Sequence, residues 1–194
     1  MYSYLDTDQY RNFKLLVQES MARCWSASDY MYIRRLLHKY GIDRFKQEVD
    51  MGDNDLSLII NGKLENECTD VITSNDFTLI QPSNAYGKRH RLLCPNPSIL
   101  ELLFGDKAWM GFNVLTFEGG HISLLDQMES IAMQYTRDYG WSKNVELYFH
   151  CYPFNSINTL HLHIVDLECV KPLFYTKGTI NLSLKTVRSV LLMS

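Results

Sequence analysis

Near the C-terminal end of the chain, Leu160, Leu162 and Ile164 alternate with His161 and His163. A period of two is that of a strand with one apolar and one polar face, here predicted over residues 160–167 with both imidazoles turned the same way. The period changes over residues 122–139, where Leu124, Leu125, Met128, Ile131, Ala132 and Tyr135 mark the inner face of a long amphipathic helix that Gly140 ends. Residues 111–117 and 145–149 read as strands on either side of it. Upstream, residues 56–61, 69–73 and 77–81 are short and β-branched, and Asn61-Gly62 and Ser74-Asn75-Asp76 supply the turns of a small antiparallel sheet.

The N-terminal quarter carries helical spacing instead. Phe13, Leu16, Val17 and Met21 form one stripe, and Met31, Ile33, Leu36, Leu37, Tyr40 and Phe45 a second, opened by Ser28 and Asp29 and interrupted at Gly41. Residues 98–104 fit a short helix or strand, and the tail closes with a helix from about residue 184 to 193, capped by Ser183. The predicted class is α+β: an antiparallel sheet crossed by one long helix, with residues 1–50 as a helical N-terminal extension and residues 51–194 as the domain that carries the sheet.

A chain of 194 residues, 46% hydrophobic and 21% charged, suits one substantial core rather than two large domains. A net charge of −3 offers no general attraction to nucleic acid, so any polyanion needs a local basic site. Such a run exists at Lys88, Arg89, His90 and Arg91 beside Gly87, where charge-assisted donors can grip phosphate, although a solvated loop accounts for the same residues. No apolar run reaches the length of a membrane span, and residues 1–8 do not resemble a signal peptide. Five cysteines without paired spacing read as free thiols in a reducing compartment, and a cytoplasmic protein is expected.

The chemistry-bearing residues are His161, His163 and His150, the last on the preceding apolar segment. A neutral imidazole can attack phosphorus, and a neighbouring one can steady the phosphoryl oxygens. Two other readings stand beside this one. The histidines can be hydrogen-bonded core residues, or the His-x-His face with Cys151 can hold zinc, for which no fourth ligand follows at a recognisable spacing. Tyr30, Tyr32, Tyr40, Trp109 and Trp141 can contact a base, with core packing the default for each.

Residues 155–164 resemble the signature of the histidine-triad (HIT) nucleotide hydrolases and transferases, in which a Ser or Thr precedes a His-φ-His-φ-His-φ run by two residues. The resemblance implies His161 as nucleophile, His163 as the third triad histidine and Ser156 as the phosphate-facing hydroxyl. Thr159 stands at the first triad position, and with Asn155 and Asn158 it completes the implied substrate-binding set. His150 and Pro153 are similar to the His-x-x-Pro-Ser lead-in of the aprataxin and scavenger mRNA-decapping branches, with Phe154 and Asn155 intervening before Ser156. His121 matches a histidine at the family's helix start, but residues 116–120 lack the usual proline and lysines, and a helix cap explains it equally.

What the resemblance implies is a HIT-like fold over residues 51–194 and hydrolysis of a phosphoanhydride of the capped-RNA or dinucleoside-polyphosphate type. The reaction would pass through a nucleotidyl-histidine at His161. The implied partner is a nucleotide or capped oligonucleotide, with a homodimer possible, and no membrane, metal or cofactor is called for. The other class of reading is a nucleotide-binding module or interaction protein with a HIT-like pocket and little or no catalysis.

Overall fold

Alternating side chains become a sheet only where several strands share one register. The computed structural model, which describes residues 26–39, 68–82, 86–104, 113–151, 155, 159–172, 174 and 181–193, contains six such strands. They are β1 (Cys68–Thr73), β2 (Phe77–Pro82), β3 (His90–Pro95), β4 (Val145–His150), β5 (Leu162–Asp166) and β6 (Asn181–Ser183). Their order across the sheet is β1-β2-β3-β5-β4-β6, and every pairing is antiparallel. The histidine strand β5 is therefore interior, with Leu92 and Tyr148 the register partners of His163 on its two sides.

One face of the sheet carries the main core. Leu93, Phe149, Leu162, Ile164 and Leu182 point into it, where they meet α3 (Ile122–Asp138) and α4 (Leu184–Leu191). The long helix buries Leu124, Leu125, Met128, Ala132 and Tyr135, nearly the stripe expected, and Gly140 leaves it in the left-handed region at φ 61°. An Arg188 guanidinium from α4 reaches Asp126, at 2.7 Å, and Glu129 on α3. Helix α4 begins where expected, with Ser183 Oγ accepting the Thr186 N–H at 3.1 Å.

The helix α1 (Ala27–Lys39) belongs to the same core. Its start is a reciprocal cap: Ser26 Oγ accepts the Asp29 N–H, and the Asp29 carboxylate accepts from Ser26. Tyr30, Ile33, Leu36 and Leu37 are all buried, the Tyr30 hydroxyl donates to the Val114 carbonyl at 2.6 Å, and Arg34 donates to the carbonyl of Phe117. Packing is thus the role of Tyr30, while Tyr32 is exposed. Residues 9–23, the expected strand at 56–61, the Asn61-Gly62 turn, Tyr40 and Trp109 lie outside the described residues.

Three expectations are corrected. The strand expected over residues 111–117 is, from Asn113 onward, a 3-10 turn (Val114–Thr116) in which Asn113 accepts the Leu115 N–H and Thr116 closes a capping box. Local side-chain acceptors satisfy the backbone there, so it needs no ladder. The segment holding His90 and Arg91 is not a loop but β3, running beside the site strand and leading into α2 (Pro97–Phe104). The histidine strand is also shorter than expected at both ends: it begins at Leu162, leaving Leu160 and His161 just ahead of it, and it stops where Asp166 caps a 3-10 turn (Leu167–Cys169) through the Glu168 N–H.

The second face of the sheet is covered rather than open. Tyr86, Val165 and Phe174 form a smaller cluster over it, with Tyr148, Leu167 and Val170 against them. The cover is held close by a bridge between Gly87 and Val170 and by a Lys171 N–H donating to the Tyr86 carbonyl at 2.6 Å. Cys94, Cys151 and Cys169 are free thiols, and no described helix is long and apolar enough to cross a membrane.

Candidate active site

Alternation in β5 sends Leu162 and Ile164 to the main core and His163 and Val165 to the other face, where His161 joins them. That face also receives His150 from β4 and His90 from β3. Ring centroids lie 3.8 Å apart for His150 and His163, 4.9 Å for His161 and His163, and 5.2 Å for His90 and His163. Four of the six histidines in the chain therefore meet at one place, assembled from three neighbouring strands. His161 and His163 are buried, at 7% and 6% exposure, and His150 is half-buried.

The proton on each ring follows from its neighbours. His161 Nδ1 lies 2.7 Å from the carbonyl of Thr159, an acceptor only, so Nδ1 carries the hydrogen and Nε2 the lone pair. The main-chain N–H of Tyr86 donates to His90 Nδ1 at 3.0 Å, so that nitrogen has no hydrogen, and the ring is neutral with its proton on Nε2. His90 Nε2 faces His163 Nδ1 at 3.0 Å. His163 thus accepts at Nδ1 and bears its own hydrogen on Nε2.

That Nε2–H is buried and meets no acceptor among the described residues. An unpaired buried donor costs about 1–3 kcal/mol, a cost that an incoming oxygen at this spot would relieve. His150 Nε2 lies 3.0 Å from the side-chain oxygen of Asn181 and 3.3 Å from the Tyr86 hydroxyl.

Charge is disfavoured at His90, His161 and His163. Burial pushes His90 down to about 3, aided by His161 and Arg91 nearby. Burial likewise lowers His163 well below the ordinary histidine value, with the other three imidazoles adding to the effect, and lowers His161 against the opposing Thr159 hydrogen bond. Burial also raises the Tyr86 phenol above its usual range.

The remaining expected residues divide. Thr159 and Asn155 are buried, the Thr159 carbonyl against His161 Nδ1 and the Asn155 N–H donating to the Cys151 carbonyl at 3.2 Å. Ser156 and Asn158 lie outside the described residues, as does Pro153. The basic run does not converge: Lys88 is exposed, Arg89 pairs with Asp166 at 3.0 Å, and Arg91 lies on the opposite face over the rings of Tyr135 and Trp141. His121 sits at the start of α3, where its Nδ1 accepts the Glu118 N–H at 2.8 Å, consistent with a helix-terminus role.

His90 is the site residue that sequence reasoning missed. It stands inside a cationic run, and its partner is 73 residues away. The signal available was its place two residues before Leu92, on the face that His163 shares.

Arg89 and Asp166 anchor the end of the site. The Asp166 carboxylate is fully buried and accepts from Arg89, the Ser142 hydroxyl at 2.6 Å, the Ser142 N–H at 2.9 Å and the Glu168 N–H. Burial alone would raise its pKa, but the Ser142, Arg89 and Glu168 donors together outweigh that and hold it near 2.

No family model matches the chain, and no curated protein matches it. Among solved structures the fold is similar to a HIT family hydrolase from Clostridium thermocellum, with TM-score 0.43 and 18% identity over 59% of this chain and 91% of that one. It is also similar to Hnt3 in complex with DNA and guanosine, with TM-score 0.47 and 19% identity over 72% and 78% of the two chains. The aprataxin ortholog Hnt3 from Schizosaccharomyces pombe aligns with TM-score 0.40 and 20% identity over 63% of each chain.

Proposed function

We propose that the protein is a nucleotide hydrolase that cleaves a phosphoanhydride, of the capped-RNA-fragment or dinucleoside-polyphosphate type, through a nucleotidyl-histidine at His161. The observation that carries this reading is the fixed tautomer of His161. With Nδ1–H held by the Thr159 carbonyl at 2.7 Å, the lone pair sits on Nε2, and burial keeps the ring unprotonated and nucleophilic. The Thr159 departure from the family pattern leaves this contact intact, because the acceptor is main chain and any residue supplies it.

In the first step, Nε2 of His161 attacks the α-phosphorus, a P–N bond forms, and the P–O bond to the departing phosphate breaks. The leaving group carries away the electron pair. In the second step water attacks the same phosphorus, a P–O bond forms as the P–N bond breaks, the ring recovers its lone pair, and the water's proton passes to solvent. The His163 Nε2–H supports both steps as a preorganised donor to a phosphoryl oxygen. His150, within hydrogen-bond reach of Asn181 and Tyr86, is assigned to assist at the phosphate or the leaving group, and Ser156 and Asn158 are assigned to the phosphate on the resemblance alone.

A second reading has one observation in its favour. Arg89 and Arg91 are engaged away from the cluster, which suits a module that binds a nucleotide without turning it over. A panel of capped dinucleotides, diadenosine polyphosphates and adenosine phosphoramidate separates the two. Turnover that falls about a thousandfold or more in His161→Asn, with an acid-labile nucleotidyl adduct trapped on His161, is the expected result. Binding across the panel without hydrolysis supports the module, and full activity in His161→Asn removes the proposed nucleophile.

A further inference from the structure

His150, His161 and His163 each offer a ring nitrogen, and these atoms lie within 4.8 Å of one another. By type and spacing that is a three-histidine set of the kind that holds zinc. Lone pairs, rather than spacing, decide whether it can. A metal ion needs a nitrogen without hydrogen, and in a neutral imidazole only one nitrogen qualifies.

For His163 the qualifying atom is Nδ1, and it is already occupied by His90 Nε2 at 3.0 Å. The other nitrogen, Nε2, carries the hydrogen. The two rings cannot simply exchange roles. Moving the hydrogen of His163 to Nδ1 would require His90 Nε2 to accept it, yet His90 Nδ1 already accepts the Tyr86 main-chain N–H at 3.0 Å. His90 would then accept at both nitrogens, which only an imidazolate anion can do. A main-chain amide does not titrate, so the chain of bonds has one direction.

We propose that His90 is a positioning residue: driven by the Tyr86 amide, it locks His163 as a neutral Nε2–H donor and thereby closes the three-histidine cluster to divalent metal ions. The consequence is that the site presents a lone pair at His161 and a hydrogen at His163, an arrangement that suits an anionic oxygen beside a nucleophile and rejects a cation. The inference concerns the resting protein and does not depend on which phosphoanhydride, if any, is hydrolysed.

Two measurements test it. Long-range 15N–1H correlation spectra of the 15N-labelled resting protein report the tautomer of each histidine. His90 and His163 are expected as Nε2–H forms and His161 as the Nδ1–H form, and a His163 signal of the Nδ1–H type overturns the proposal. Cobalt(II) titration is the second measurement, read by the visible bands of a low-coordinate site.

His90→Gln keeps an acceptor for Tyr86 and a donor for His163, and is expected to behave as wild type, without a stoichiometric site. His90→Glu offers acceptors only, so it should turn His163 over to its Nδ1–H form and free Nε2. Cobalt affinity should then rise by about 10–100-fold, the usual size of an effect from a carboxylate behind a metal-binding histidine. Tight stoichiometric cobalt binding by wild type, or equal affinity in the Gln and Glu variants, refutes the lock. If His90→Glu does not fold, the spectra of the wild type decide alone.

Discussion

A buried neutral imidazole makes folding sensitive to acid, because the unfolded ring, with a pKa near 6.5, takes up a proton that the folded ring refuses. His90, His161 and His163 all have folded values below that. Their contribution is complete above about pH 6.5 and is lost as pH falls toward the folded values, which for His90 is about 3. A ring that stays neutral across that window costs at most about 1.4 kcal/mol per pH unit, so stability should fall as pH drops below about 6.5, more steeply than a single histidine accounts for. Asp166 adds a separate loss at lower pH, between its unfolded value near 3.9 and its folded value near 2. Urea unfolding at pH 7.5, 6.0 and 5.0 measures the first window, and a flat profile would mean that the rings titrate normally. Much of this chemistry was legible at single residues: the period-2 run placed His161 and His163 on one face, and the motif pointed to His161. What could not be read was who carries which proton, since that depends on Tyr86 and His90, which reach the cluster only through β3 pairing with β5.

Among the elements, those with one strong period were the legible ones. The helix over residues 122–139 appears as Ile122–Asp138 because six apolar positions and a terminal glycine all agree. The run at 111–117 misled because Val114, Leu115 and Phe117 are apolar by demand of the core, while Asn113 and Thr116, which make the turn, look like the polar half of a strand. His90 was missed for the related reason that β3 is buried almost throughout and shows no clean alternation. The cover over the histidine face depends on one backbone approach. A Cβ at Gly87 would sit 2.0 Å from the Cys169 carbonyl oxygen, whereas one at Gly120 meets nothing within 4 Å. Gly87→Ala should therefore cost roughly 3 kcal/mol as the two segments are forced apart, and Gly120→Ala should be close to neutral. Thermal unfolding of the pair makes the comparison. A silent Gly87→Ala would show that the 86–87 and 169–171 segments are not held together as described.

At the scale of the whole molecule, the sheet, the two C-terminal helices and α1 share one apolar interior. Burying Tyr30, Ile33, Leu36 and Leu37 contributes about 1.5–3 kcal/mol each. Their sum is comparable to the entire 5–15 kcal/mol by which a domain is usually stable. A clone starting at Met51 should accordingly be insoluble or molten, and its near-ultraviolet circular dichroism beside that of the full chain checks this. A well-packed, soluble fragment would show the interior to be complete without the helix. The Tyr30 hydroxyl and the Arg34 guanidinium also fasten the stretch just ahead of the long helix. Dissection at residue 50 would therefore strip the clasp from that helix as well as the lining from the core. Any truncated version meant to keep the histidines in place must carry residues 26–39 along with them.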